Sequence, residues 1–203
     1  DWSSDVCSSD LYSLLLCLLA FVVLLNFNLL TIILALSSMP LAFTYPLMKR
    51  FTYWPQLFLG ITFNYGIILG WTAINGQIDV LPLILYFGAI FWTLGYDTIY
   101  GYQDIKDDEV IGLKSTSIKF KHNPKLFIFL CYLFLIFSIY LAGYLSEFNN
   151  YFYIFMIIPI IQIFFYQVKV FDSRNPTKCL KIFKSNNFFG SLIFINILIG
   201  KMF

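Results

Sequence analysis

Long uninterrupted apolar segments are the feature that most restricts how this chain can fold. A helix needs about 20 mostly apolar residues to cross the hydrocarbon core of a bilayer. Composition agrees with such helices, because 60% of the residues are hydrophobic and only 12% are charged. These runs lack the alternation of apolar and polar residues that is typical of membrane barrel strands. The sequence therefore predicts an all-α, polytopic transmembrane helix bundle with about seven helices, at residues 11–26, 28–47, 56–74, 80–97, 124–145, 150–169 and 187–203.

Basic residues are concentrated in alternate loops. Twelve of the thirteen Lys and Arg residues lie in residues 48–52, 104–125 and 169–185, and Lys201 is the exception. Basic loops of membrane proteins stay on the cytoplasmic side. We therefore expect these three loops to face the cytoplasm, in a protein of the bacterial inner membrane.

An acidic cluster follows the fourth apolar segment. The stretch "GYDTIYGYQDIKDDE", residues 95–109, contains five of the eleven acidic residues. If the helix of residues 80–97 continued, positions i, i+3, i+7, i+10 and i+11 would share an arc of about 100°. Carboxylates this near to one another repel unless a cation lies among them. Ligand sets made only of oxygen atoms favour Mg²⁺ or Ca²⁺ over Zn²⁺. The spacing predicts a metal site formed from Asp97, Asp104, Asp107 and Asp108, with Tyr100 on the same arc.

Basic side chains on the same side of the membrane extend this hypothesis. Lys114 lies in "GLKST", and Lys49 and Arg50 lie in "YPLMKRFT". Carboxylates with a metal, next to Lys and Arg, form the kind of anion site that binds phosphates, and Mg²⁺ is often held by a few carboxylates and substrate phosphates together. The pattern favours a diphosphate ligand. From spacing alone, a solvated amphipathic turn stays an alternative, and topology alone could place Lys49 and Arg50.

The same residues carry a resemblance to a known family. The segment "YDTIYGYQDIKDDEVIGLKSTSIKF" resembles the second aspartate-rich motif of the UbiA superfamily of intramembrane prenyltransferases, and most of all its branch acting on 4-hydroxybenzoate for ubiquinone. "YPLMKRFTYWPQLFLGITFNYG" and "CLKIFKSNNFFGSLIF" resemble further segments of that branch, so the resemblance covers residues 11–203. The motif D-x-x-Y-x-x-x-D-x-x-D-D, then G-x-K-S-T, is matched at Asp97, Tyr100, Asp104, Asp107, Asp108, Gly112, Lys114, Ser115 and Thr116.

The resemblance implies a Mg²⁺-dependent transfer of a polyprenyl group from polyprenyl diphosphate to the ring of 4-hydroxybenzoate. It implies that Asp97 and Asp104 bind one Mg²⁺ that bridges to the diphosphate. Asp107 and Asp108 would support that ion or the basic loop. Lys114, together with Lys49 of the Tyr-x-x-x-Lys element, would bind the diphosphate and add positive charge during catalysis.

Three further residues receive roles from the same resemblance. The ring face of Tyr45 would stabilise the allylic cation. Tyr100 would do the same or orient a ligand, and Arg50 would hold either the carboxylate of the aromatic acid or a phosphate. For both tyrosines, a place in the aromatic belt at the membrane interface is the structural alternative.

The sequence also departs from the family pattern. The family has nine helices and a first motif, N-D-x-x-D-x-x-x-D, after its second helix, and no such motif is found here. We therefore expect residues 11–203 to be a partial domain lacking the first two helices, and inactive alone. The stretch "DWSSDVCSSD", residues 1–10, is expected to be a foreign or artefactual stub.

Two alternatives stay open. A relative within the superfamily could use another acceptor, such as a quinone precursor, a porphyrin or a chlorophyllide. A cation-coupled transporter is less favoured. Carriers place ionisable residues near the bilayer midplane and show internal repeats, whereas the acidic cluster here is expected at one membrane face and the sequence shows no repeat. The expected partners are polyprenyl diphosphate, 4-hydroxybenzoate and the lipid bilayer, and no nucleic acid.

Overall fold

Helices make up the secondary structure of the described part of the chain. The computed structural model describes the backbone of residues 2–202 and the side chains of residues 10–202. The first seven helices are α1 (Trp2–Leu24), α2 (Leu29–Thr44), α3 (Met48–Phe51), α4 (Pro55–Phe63), α5 (Gly66–Asn75), α6 (Val80–Gly101) and α7 (Ile105–Ile111). They are followed by α8 (Thr116–Lys119), α9 (Pro124–Leu145), α10 (Asn150–Phe155), α11 (Ile157–Ile161), α12 (Pro176–Lys184) and α13 (Asn186–Met202). A 3₁₀ turn, Tyr45–Leu47, joins α2 to α3, and a π-helix, Gln162–Val168, follows α11.

These helices combine into membrane spans, which confirms the predicted fold class. Within the described residues, six stretches are long and apolar enough to cross a bilayer: Leu29–Phe51, Pro55–Asn75, Val80–Gly101, Pro124–Leu145, Asn150–Val168 and Pro176–Met202. Six of the seven predicted segments fall on these spans. The other, residues 11–26, falls on α1, whose described apolar part is the shorter Asp10–Leu24. The prediction of a stub at residues 1–10 concerns side chains that, except for Asp10, lie outside the described residues.

The central helix α6 packs most extensively against α9. Small residues make the close approach possible, as is common between membrane helices. A Cβ added to Gly88 would lie 2.7 Å from Cβ of Ser138, and one added to Gly95 would lie 2.6 Å from Cε1 of Tyr132. The glycines therefore fix how closely the two helices pack.

A buried polar network ties the C-terminal half of the bundle to α6 and α9. Nε1 of Trp92 and Nε2 of Gln167 both donate to Oδ1 of Asn186, at 2.8 and 3.2 Å. The hydroxyl of Tyr132 donates to Oε1 of Gln167 at 2.7 Å. Polar groups inside a bilayer need protein partners because no water is available there. The network therefore holds the π-helix and the start of α13 against the central helix pair.

The three basic loops lie at the same end of the bundle. The backbone N–H of Lys114 donates to the carbonyl of Lys49 at 2.9 Å, which joins the first loop to the second. Nζ of Lys125 donates to the carbonyl of Lys169 at 3.3 Å, which joins the second to the third. The acidic cluster lies in the second of these loops, so acidic and basic residues share one end of the molecule. That this end faces the cytoplasm stays a prediction.

Candidate active site

A cavity of about 230 Å³ opens at the end of the bundle that carries the basic loops. The end of α2, the first turns of α4 and the end of α6 meet around it. Its lining mixes carboxylates, one lysine, tyrosines and apolar groups. The residues are Tyr45, Pro46, Lys49, Pro55, Gln56, Leu59, Asp97, Tyr100, Gly101, Asp104 and Asp108. The structure therefore brings together six of the nine residues that the sequence nominated.

The acidic wall of this cavity comes from two helices, not from one. The assumption that the helix of residues 80–97 continues through Asp108 is wrong, because α6 ends at Gly101 and α7 begins at Ile105. Asp104 lies between them with non-helical backbone angles, φ −111° and ψ 11°. Asp97 therefore projects from α6, while Asp104 and Asp108 approach the cavity from the turn and from α7.

The opposite wall carries the aromatic ring and the positive charge. Tyr45 begins the 3₁₀ turn and Lys49 lies in α3, one turn later. Residues four apart share one side of a helical turn, so the Tyr-x-x-x-Lys spacing brings both side chains to the cavity. Arg50, the next residue, is exposed and does not line it.

The G-x-K-S-T loop is anchored to α6 by buried hydrogen bonds. Ser115, Thr116 and Ser117 are fully buried. The Thr116 hydroxyl is 2.6 Å from the Thr98 hydroxyl, and the Ser117 hydroxyl donates to the Thr98 carbonyl at 2.8 Å. Sequence reasoning placed a diphosphate ligand at this motif. In the structure the Thr116 hydroxyl of the motif bonds to α6 instead, as does the following Ser117, and the Ser115 hydroxyl accepts from the N–H of Ile118.

Three nominated residues lie outside the cavity. Nζ of Lys114 donates to the carbonyl of Phe51 at 3.3 Å and lies 5.6 Å from the centre of the Tyr53 ring. Asp107 is exposed and, like Arg50, is not part of the lining. Sequence reasoning missed Gln56, a single polar residue in the apolar run "WPQLFLG". A lone polar residue in an apolar run gives no spacing pattern that would reveal it.

The carboxylates of the site do not form an all-protein metal cage. In the part of the chain that the structure describes, no group of three or more His, Cys, Asp or Glu side chains could hold a metal ion. Mg²⁺ typically takes one or two protein carboxylates and completes its shell with water and phosphate oxygens. Asp97 and Asp104 on one cavity fit an ion of that kind.

Comparison with known proteins identifies the family of this architecture. The profile of the UbiA prenyltransferase family matches residues 11–194. The chain belongs to the UbiA prenyltransferase family. The resemblance read from the motifs is thereby confirmed, and the cavity between α2, α4 and α6 is the candidate active site of a family member.

Two curated relatives are named for prenyl transfer to 4-hydroxybenzoate. 4-hydroxybenzoate geranyltransferase 2 of Lithospermum erythrorhizon is 42% identical over 184 residues, which cover 89% of this chain and 59% of the relative. Mitochondrial 4-hydroxybenzoate polyprenyltransferase of Bos taurus is 42% identical over 185 residues, covering 91% and 50%. The chain thus spans between half and three fifths of the length of these relatives.

A solved structure supports the fold. The structure of a digeranylgeranylglyceryl phosphate synthase superposes with a TM-score of 0.70 at 18% identity, covering 94% of this chain and 68% of that one. At that identity the likeness concerns the helix arrangement alone. It establishes that this chain has the fold of an integral membrane prenyltransferase.

Proposed function

We propose that this chain provides the site for transfer of a polyprenyl group from polyprenyl diphosphate to the ring of 4-hydroxybenzoate, in ubiquinone biosynthesis. The observation that carries the proposal is the cavity in which Lys49 and Tyr45 face Asp97 and Asp104. The names of its relatives supply the acceptor. The family match favours this reaction over the transporter alternative.

The chemistry divides between the two walls of the cavity. The allylic C–O bond of the donor breaks, and the diphosphate leaves with the bonding electron pair next to the ammonium group of Lys49. The ring of Tyr45 presents its negative face to the allylic cation. The ring carbon ortho to the phenol hydroxyl of 4-hydroxybenzoate forms the new C–C bond and then loses its proton to the released diphosphate or to water, which restores the aromatic ring. Lys49 acts where negative charge grows, so its contribution is larger in the transition state than in the ground state.

Mg²⁺ fits the acidic wall as part of this proposal. Asp97 and Asp104 would hold it, with Asp108 close by in the same cavity lining. Bound there together with the diphosphate, the ion would neutralise charge on the leaving group. Asp107 and Lys114 lie outside the lining, so their proposed contribution is to support the loop.

The membrane supplies the environment for the donor's tail. The outer faces of the spans expose large apolar side chains such as Phe129, Phe134 and Phe137, which suit both lipid and a prenyl chain. The positive-inside pattern supports a cytoplasmic orientation of the site. We place the protein in the bacterial inner membrane, although its relatives include mitochondrial enzymes.

The test is a prenyl-transfer assay in isolated membranes. Geranyl diphosphate, radiolabelled 4-hydroxybenzoate and Mg²⁺ are supplied to the 203-residue chain, and to a fusion that adds the region of the bovine relative lying upstream of the match. We expect little transfer by the chain alone and Mg²⁺-dependent transfer by the fusion. EDTA should abolish the transfer.

The bovine enzyme itself serves as the positive control in the same membranes. If it is active and the fusion transfers no prenyl group to 4-hydroxybenzoate, the proposed function is wrong. Transfer to another aromatic acceptor, and not to 4-hydroxybenzoate, would keep the family chemistry and change the substrate. Full activity of the 203-residue chain would contradict the expectation that it is inactive alone.

A further inference from the structure

Gln56 is a buried amide on the wall of the candidate active site. It is the second residue of α4, is only 4% exposed, and lines the cavity. Its Oε1 accepts a hydrogen bond from the backbone N–H of Thr116 at 3.0 Å. The amide thus links α4 to the G-x-K-S-T loop across sixty positions of the sequence.

This hydrogen bond fixes which way the amide faces. A backbone N–H can bond only to the oxygen of a carboxamide, so Nε2 of Gln56 must point away from Thr116. Nε2 lies beside Gly101, 3.5 Å from the position that a Cβ would take there. Among the described residues no acceptor bonds to Nε2, and both Gln56 and Gly101 line the cavity. Nε2 is not among the fully buried unpaired atoms of the described side chains, so it is open to the cavity, where a ligand oxygen can accept its hydrogen bond.

The surroundings of Nε2 favour a ligand with negative charge. Pro55 and Gln56, the first two residues of α4, both line the cavity, so the positive end of this helix lies there. The first turn contains no acidic residue, and the side chain of Trp54 does not cap it. Lys49 contributes a full positive charge to the same cavity.

We propose that Gln56 is a substrate-binding residue whose Nε2 donates a hydrogen bond to an oxygen of the donor's diphosphate. The inference rests on the proposed function for the identity of the ligand. Gln56 then has two roles. Its Oε1 accepts the hydrogen bond that holds the loop, and its Nε2 binds the diphosphate leaving group.

The matched variants are Gln56→Glu and Gln103→Glu. The first keeps an oxygen for the N–H of Thr116 but replaces the donor with a carboxylate. The second makes the same change in the neighbouring turn, where Gln103 bonds to the carbonyl of Tyr100 and does not line the cavity. For Gln56→Glu we expect the Kd of inorganic diphosphate with Mg²⁺ to rise at least about tenfold, since a hydrogen bond to a charged group is lost. Gln103→Glu should stay within about twofold.

Binding of inorganic diphosphate to the purified chain needs no turnover, so it tests Gln56 even if the proposed reaction is wrong. In the active fusion, the KM for geranyl diphosphate should rise with the KM for 4-hydroxybenzoate unchanged. Gln56→Met serves as a second variant, and the ratio of the two KM values separates donor loss from a general folding defect, which would affect both. Diphosphate binding by Gln56→Glu equal to wild type would overturn the proposal. So would a change confined to 4-hydroxybenzoate or to the Mg²⁺ requirement.

Discussion

Asp104 and Asp107 differ by three positions in the sequence, and only Asp104 lines the cavity. We predict that Asp97→Asn or Asp104→Asn lowers prenyl transfer by at least about 10²-fold in the active fusion, because each removes a negatively charged oxygen ligand at the leaving group. Asp107→Asn is the matched control and should retain most activity. The measurement is initial rate at saturating Mg²⁺. Near-normal rates for Asp97→Asn would remove that residue from the site.

Lys49 and Arg50 offer a second comparison between neighbours. Lys49→Ala should raise the KM for geranyl diphosphate about 10- to 100-fold, because the positive charge on the cavity wall is lost. Arg50→Ala should change it less than about threefold, since that side chain is exposed and outside the lining. Equal effects of the two variants in steady-state kinetics would show that both side chains reach the substrate.

The contrast between Lys49 and Lys114 explains how far sequence reasoning reached at this scale. Both are predicted from their place in basic loops and from the family motif, and neither signal records where a side chain points. Lys114 turns to the carbonyl of Phe51 and to the Tyr53 ring, a choice made by tertiary contacts. Gln56 was missed because a lone polar residue in an apolar helix has no spacing pattern to reveal it.

At the scale of the helices, six of the seven predicted spans were found, and α6 extends past residue 97 only as far as Gly101 and not through Asp108. Apolar length is a strong signal for a membrane span, so existence and order of the spans followed from the sequence. The end of α6 coincides with a contact to a distant part of the sequence. A Cβ on Gly101 would lie 2.5 Å from Oγ of Ser117, so the helix ends where the anchoring loop packs against it. Periodicity within residues 97–108 could not contain that information.

The pair α6 and α9 gives a stability prediction. Gly88→Ala should lower the free energy of unfolding by about 1–3 kcal/mol, because its new methyl group would meet Cβ of Ser138, which moves only with its backbone. Gly70→Ala in α5 is the control, since nothing lies within 4 Å of an added Cβ there. We expect it to be neutral or slightly stabilising. The measurement is the melting temperature of each variant in detergent. Equal melting temperatures for the two variants would contradict close packing at Gly88.

For the whole molecule, orientation is the property to be measured. In a background without native cysteines, Lys119→Cys should be shielded from a membrane-impermeant thiol reagent in intact cells, and Gln77→Cys should be labelled. Both positions are exposed, and they lie at opposite ends of the bundle. We expect this orientation because position 119 lies in a basic loop, and positive charge is retained on the cytoplasmic side. Labelling of position 119 and protection of position 77 would invert the topology.

The hydrogen bonds among Trp92, Tyr132, Gln167 and Asn186 also bear on how the protein is assembled in the membrane. If each were a single helix in lipid, the segments that carry Gln167 and Asn186 would expose an amide to hydrocarbon. Packing against a neighbouring helix removes that free-energy cost. Both acceptor oxygens are taken by partners from α6, α9 and the π-helix. Because α6 and α9 come earlier in the chain, the last two spans can enter the membrane against a helix pair that already offers partners for these amides.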